Sequence, residues 1–273
     1  YRLGEVSLPL ELDVEKLPRI EAGLANDIAE RLQVVHFPIA FPEVFLRDRG
    51  GFDVIMGNPP WDKVNAREDE FWGRYHPGLR GLSQREKLER ITQLNQSRPD
   101  LVRLLDAERR EAYDLVRVIK SGPNNLGSGD TELARVFAWR FWDLLRQDGQ
   151  AGVVLPRSAV LSSTGMAPWR NAVFSDGGFA DVCVISNRNG WVFADVAGNY
   201  TIVFLVVRRQ SPPLKTLELR GPFSSASQFN HIQSAAKIDV SEFLGWSSDA
   251  FFPLLPSEES VSIYRILARQ PRL

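Results

Sequence analysis

"GFDVIMGNPPW", residues 51–61, decides how this chain is read. Phe52–Met56 mixes aromatic and β-branched residues between Gly51 and Gly57, which reads as a short buried strand. The strand then meets Pro59 and Pro60, and two successive prolines continue neither a strand nor a helix. A carboxamide, a rigid elbow and a large aromatic ring therefore follow directly on the strand end.

Working outward, "PRIEAGLANDIAERLQ" (18–33) carries Ile20, Leu24, Ile28 and Leu32 at i+4 spacing, one stripe of an amphipathic helix. "VVHFPIAFPEVF" follows and is too broken by proline for a long element. Beyond the motif, residues 62–120 are charge-dense and helical in pattern, with 13 Lys or Arg against 11 Asp or Glu. That balance describes a mixed solvated face and not a basic stripe. "SGPNNLGSGD" (121–130) is a loop of turn formers. Asp130 is placed to cap a helix over 131–147, with Leu133, Phe137, Phe141 and Leu144 on its core face and Gly149 at its C-terminal end.

"AGVVLP" (151–156) is a second buried strand, and "FADVCVIS" and "YTIVFLVVRR" are two more. Strands alternating with helices predict an α/β sheet with parallel strands. The last two, joined by a short loop, are expected to form an antiparallel pair at its edge. From residue 211, "SPPLKTLELRGPFSSASQ" reads as a linker or domain border. The division expected is thus 1–210, with a helical insert at 62–120, and then 211–273.

Composition sets few limits. Of 273 residues, 44% are hydrophobic and 25% charged, as in ordinary globular chains, and the net charge of −1 favours no polyanionic partner by itself. The single cysteine, Cys183, allows no internal disulfide, fits a reducing cytoplasm and lies in an apolar run where packing is its expected role. No run reaches the roughly 20 apolar residues that span a bilayer, so no membrane partner is expected. His36, His76 and His231 lack metal-ligand spacing, and no nuclease motif is visible.

In open α/β sheets ligands bind beyond the carboxyl ends of the strands, where Asn58–Trp61 fall. The Asn58 oxygen and the Pro59 carbonyl can both accept hydrogen bonds, which suits an exocyclic amino group with two N–H donors. Trp61 offers a flat face on which a base can stack. The same residues also read as a Pro-Pro turn in which Asn58 caps the loop and Trp61 covers the core edge.

"GGFDVIMGNPPW" resembles motif IV of the amino-methyltransferases, Asn/Asp/Ser-Pro-Pro-aromatic. With "FPIAFPEVF", "GDTELARVFAWRFWDLLRQDGQAGVVLPRSAVLSS" and "GWVFADVAGNYTIVFLVVRR", the chain is most similar to the Eco57I-like N6-adenine DNA methylases of restriction-modification and phage-defence systems, over about residues 30–210. The resemblance implies a Rossmann-like class I methyltransferase sheet, double-stranded DNA as partner and S-adenosylmethionine as cofactor. It implies that Asn58 and Pro59 bind the target amino group, that Pro60 completes the rigid turn, and that Trp61 and Phe193 contact the flipped base.

The family holds its cofactor on a glycine-rich turn upstream of this motif, and residues 1–50 contain no strand followed by Gly-x-Gly. The sheet is therefore expected to be incomplete at its N-terminal side. The missing half would belong to a longer polypeptide or another restriction or defence subunit, and the isolated chain would neither bind the cofactor tightly nor methylate DNA. Arg157, Arg170, Arg188, Arg208 and Arg209 are candidates for phosphate contact. The other readings are a non-catalytic DNA-binding or interaction fragment, and a protein-glutamine methyltransferase, which uses Asn-Pro-Pro-Tyr on the same fold.

Overall fold

A computed structural model describes residues 2–3, 6–7, 35–122, 126, 131–194, 196, 198–231 and 235–270. The helix expected over 18–33, Asp130 and most of the 121–130 loop lie outside the described residues. Strands β1 (Arg2–Leu3) and β2 (Val6–Ser7) pair as a small antiparallel hairpin. The main sheet is built from β3 (Phe52–Gly57), β4 (Leu145–Pro156), β5 (Gly177–Ser186), β6 (Thr201–Arg209), β7 (Thr216–Phe223) and β8 (Ala236–Asp239).

The strand order is β3-β4-β6-β5-β7-β8. β3 runs parallel to β4, and β5 parallel to β7, while β6 is antiparallel to both β4 and β5. The α/β class is as expected, but the sheet is mixed. The β5–β6 pair is antiparallel, yet it lies inside the sheet because β7 continues beyond it. The stretch 211–228, expected to be a linker or domain border, instead contains β7; with β8 it extends this same sheet, and Phe243, Phe252 and Val261 pack into its core.

Why the interior strands read as near-continuous apolar runs is clear from their two faces. On β5, Val182 and Val184 join the large core with Trp142, Trp169 and Phe179, while Cys183 and Ile185 join a second cluster with Ile202. Burial pushes the Cys183 thiol up to about 11, so at pH 8 it is a packed, protonated side chain. Iodoacetamide at pH 8 is expected to leave it unmodified in the native protein and to label it fully in denaturant. Rapid native labelling by intact-mass measurement would contradict this.

β3 departs from the expectation of burial: Val54 is 53% and Met56 83% exposed. Its one strand neighbour among the described residues is β4, so only part of its side chains are covered. The helix expected over 131–147 runs from Leu133 to Leu144 and buries Ala134, Ala138, Trp139 and Trp142. Phe137 and Phe141 are only half-buried. Apolar residues ring this helix, so periodicity alone does not select its core face, and the small alanines permit a close approach. Gly149 lies within β4, where the register with β3 slips between Phe52 and Val54. A Cβ there would come within 2.8 Å of the Phe52 carbonyl oxygen, so the site needs glycine for backbone approach and not for a helix end.

"FPIAFPEVF" forms two four-residue helices, Phe37–Ala40 and Pro42–Phe45, each opened by a proline in its first turn. Phe37, Phe41 and Phe45 pack around Phe52, with ring centroids 5.2–6.0 Å from it. Arg47 and Arg146 both donate to the Asp53 carboxylate, at 2.8 and 2.5 Å, and tie this segment to β3 and β4. Those hydrogen bonds, Arg47's first, hold the Asp53 carboxyl down at about 2. A carboxyl depressed in the folded state adds stability above its unfolded pKa, near 3.9, and loses it as pH falls toward 2. The melting-temperature gap between wild type and Asp53→Asn should therefore close between about pH 4 and pH 2. A gap that stays constant across that window would remove Asp53 titration as its cause.

The insert stands on a narrow base. After Trp61 the chain pairs with the segment that re-enters the sheet domain: Val64 N–H donates to Thr131 O at 2.8 Å, and Leu133 N–H to Asp62 O at 2.9 Å. Between these paired segments come helices Glu68–Tyr75, Gln84–Ser97 and Pro99–Ser121. Ser83 and Glu86 form a reciprocal capping box at the start of the middle one. Phe71, Trp72, Leu79, Ile91, Leu94, Leu101 and Leu105 give the insert a core of its own.

Candidate base-binding site

β4 and β5 are each antiparallel to β6 and so run in the same direction. The carboxyl ends of β3, β4, β5 and β7 consequently share one edge of the sheet. Three of those ends converge: Asn58–Trp61 leaves β3, Pro156–Ala159 leaves β4, and the loop 187–200 leaves β5 and returns as β6.

The rigid turn places Pro59 inside the protein and leaves Asn58 and Pro60 exposed. The Asn58 carboxamide has no hydrogen-bond partner among the described residues, which leaves its oxygen available to a ligand. Trp61 is half-buried and borders a cavity of about 430 Å3 shared with Asp62, Lys63, Ser158, Glu132 and Tyr200. Asn58, Pro59 and Pro60 stand beside this cavity and do not line it. The Trp61 Nε1 atom is buried and finds no acceptor among the described residues.

Phe193 is brought to Trp61, with ring centroids 6.2 Å apart, but the rings are nearly perpendicular, at 85°. Tyr200 faces Trp61 differently: its ring is inclined by only 21° at 6.3 Å. Sequence reasoning treated Tyr200 as the first residue of a strand. Its position one residue before β6, at the edge where the other strands end, was the available signal.

Asn187 was also missed, and it organises the loop. It is wholly buried; its Nδ2 donates to Phe193 O and Val196 O, both at 2.9 Å. Its Oδ1 accepts from the N–H groups of Val192 and Phe193, at 3.2 and 3.1 Å. One carboxamide thus satisfies four backbone groups that no ladder can reach. An Asn at the first position after an apolar strand, in "SNRNG", is the sequence trace of such a loop clamp.

The five arginines divide sharply. Arg170 is fully buried, donating to Val160 O and Asp249 O at 2.7 Å, with burial pulling it down to about 10. Arg157 donates to Phe252 O and is likewise lowered by burial. Arg209 pairs with Asp176 at 2.8 Å and donates to Leu145 O. These three hold the fold together and are withdrawn as phosphate contacts. Arg208 bonds Gln150 on the exposed sheet end, and Arg188 is exposed in the 187–200 loop beside the site.

A second cavity of about 580 Å3 lies in the insert and shares Asn65, Arg67 and Glu70 with the first. Among the described residues, no three His, Cys, Asp or Glu side chains are grouped to hold a metal ion, and no helix is long and apolar enough to cross a membrane.

Comparison with known proteins bears on the same stretch. No curated protein matches the chain. Among solved structures, a modification subunit assigned to a type I restriction enzyme of Vibrio vulnificus YJ016 is similar, with 14% identity and a TM-score of 0.40. The match covers 78% of this chain and 40% of that one, so this chain spans less than half of that subunit's length. Residues 8–97, with Asn58–Trp61 among them, match the model of the Eco57I restriction-modification methylase family.

Proposed function

We propose that the chain forms the adenine-binding side of a DNA adenine-N6 methyltransferase of a restriction-modification or phage-defence system. The observation that carries this reading is the Asn58-Pro59-Pro60-Trp61 turn at the carboxyl end of β3, with Trp61 bordering a base-sized cavity. The family match over the same residues supports it.

In this reading the target adenine leaves the duplex, because a stacked base is out of reach of the site. Asn58 Oδ1 and the Pro59 carbonyl accept the two N6 hydrogens and direct the nitrogen lone pair outward. Trp61 holds one face of the base. No general base is required before methyl transfer, since two convergent acceptors leave more electron density on the nitrogen and make it a better nucleophile; the proton that the methylated nitrogen then sheds passes to water. Catalysis by these residues is positioning and electrostatics.

S-adenosylmethionine is the methyl donor that the reading requires. Among the described residues no strand runs into a Gly-x-Gly turn, and the reading assigns that cradle to another segment or chain. A polypeptide carrying that half, or another restriction or defence subunit, is the partner proposed, together with double-stranded DNA. Residues 1–210 would belong to the partial catalytic domain, and so would 216–261, which share its sheet and core.

Product analysis tests the proposal. The chain is incubated with S-adenosylmethionine and unmethylated duplex DNA, alone and with a polypeptide supplying the glycine-rich half, and the DNA is digested to nucleosides. N6-methyladenine in the second mixture is the expected result. Methylated glutamine in added protein, or DNA binding without methylation in both mixtures, would replace this reading by one of the alternatives.

A further inference from the structure

We infer that Tyr200 is the opposing wall of the base site, so that the base is clamped between Trp61 and Tyr200 and not between Trp61 and Phe193. This rests on the reading that the site takes a nucleobase. A planar base offers two parallel faces, and only a ring nearly parallel to Trp61 can cover the second. Tyr200 meets that condition, at 21°, and Phe193 stands across it, at 85°. Tyr200 also lines the cavity that Trp61 borders, whereas Phe193 packs inward with Cys183, Ile185 and Ile202.

The spacing agrees with this role. Neighbouring bases in a strand are about 3.4 Å apart, so a ring held between two others needs about 6.8 Å between them. The Trp61 and Tyr200 centroids are 6.3 Å apart, a little under that distance, so the rings must part slightly to admit a base. The Tyr200 backbone stays fixed meanwhile, since its carbonyl accepts from Asn187 N–H at 3.0 Å and the next residue, Thr201, pairs with Ser186. Its ring is free to adjust, being 47% exposed. Stacking tolerates any base, so the clamp supplies hold and the Asn58–Pro59 acceptors supply the choice of an amino group.

The test uses the full chain and a short single-stranded DNA carrying 2-aminopurine, whose fluorescence is quenched when it stacks. Wild type and Tyr200→Phe are expected to bind and quench alike. Tyr200→Ala and Trp61→Ala should each weaken binding about tenfold or more. Tyr200→Leu, which keeps apolar bulk without a π face, should behave as Tyr200→Ala. Wild-type binding by Tyr200→Ala or Tyr200→Leu, alongside a loss in Trp61→Ala, overturns the clamp and leaves the base-binding reading intact. No quenching by the wild type overturns that reading and the clamp with it.

Discussion

Asn58→Ala is expected to lower N6-adenine methylation by roughly 100- to 1000-fold in the cofactor-complete assembly, the scale seen when one preorganised polar group is removed from a reaction centre. The loss should fall on kcat with KM little changed, because the amino group's hydrogen bonds matter most as the nitrogen becomes a nucleophile. Stability should hardly move. Asn58 is exposed and has no side-chain partner among the described residues, so its truncation leaves nothing buried unsatisfied. Asn58→Asp keeps an acceptor oxygen at the same reach and should recover part of the rate. Unchanged methylation by Asn58→Ala would remove the residue from the chemistry. A drop matched by a large fall in melting temperature would make its role structural.

Asn187→Ala should have the opposite signature. Removing this carboxamide leaves two backbone carbonyls and two N–H groups inside the 187–200 loop without their partner. Each buried group left unsatisfied costs about 1–3 kcal/mol, and relaxation of the loop returns part of it, so a net loss of about 2–4 kcal/mol is expected. The same change loosens the loop around Phe193, while the backbone N–H of residue 187 still bonds the Tyr200 carbonyl. The loss of stability should therefore exceed any loss in binding of a 2-aminopurine strand. Asn187→Asp is a sharper probe, since it keeps the acceptor for Val192 and Phe193 and loses both donations. It should fall between wild type and alanine. Unaltered stability in Asn187→Ala would show that the loop is held by other contacts.

The contrast between the two asparagines also explains what the sequence made legible. Asn58 sits in a tetrapeptide from which the proposed chemistry is read by residue type: an acceptor, a proline with no competing N–H, and a ring. Asn187 acts through backbone groups up to nine residues away, and nothing in its neighbours announces which ones. β3, β4, β5 and β6 were readable from apolar runs bounded by glycine and proline, whereas β7 and β8 were not. Pairing order was not, because β6 inserts between β4 and β5 through long-range register that no local pattern encodes. Gly149 was misread for a similar reason: the close approach of the Phe52 carbonyl is a property of two strands, and only one of them carries the glycine. Among the arginines, burial separated structural from exposed members, and burial is the quantity that a single sequence reports least well.

The paired stem of the insert has a consequence for how such chains diversify. Lys63 and Glu132 are direct neighbours across an antiparallel bridge, so the chain leaves the sheet domain and returns at almost the same point. The helices between rest on an apolar nucleus of their own, and among the described residues of the segment Leu126 packs against the sheet core. A segment hung on adjacent entry and exit points can lengthen, shrink or be exchanged while the turn at Asn58–Trp61 keeps its place. Lineages sharing the same chemistry could thus acquire different surroundings for it by trading one cassette at a single seam.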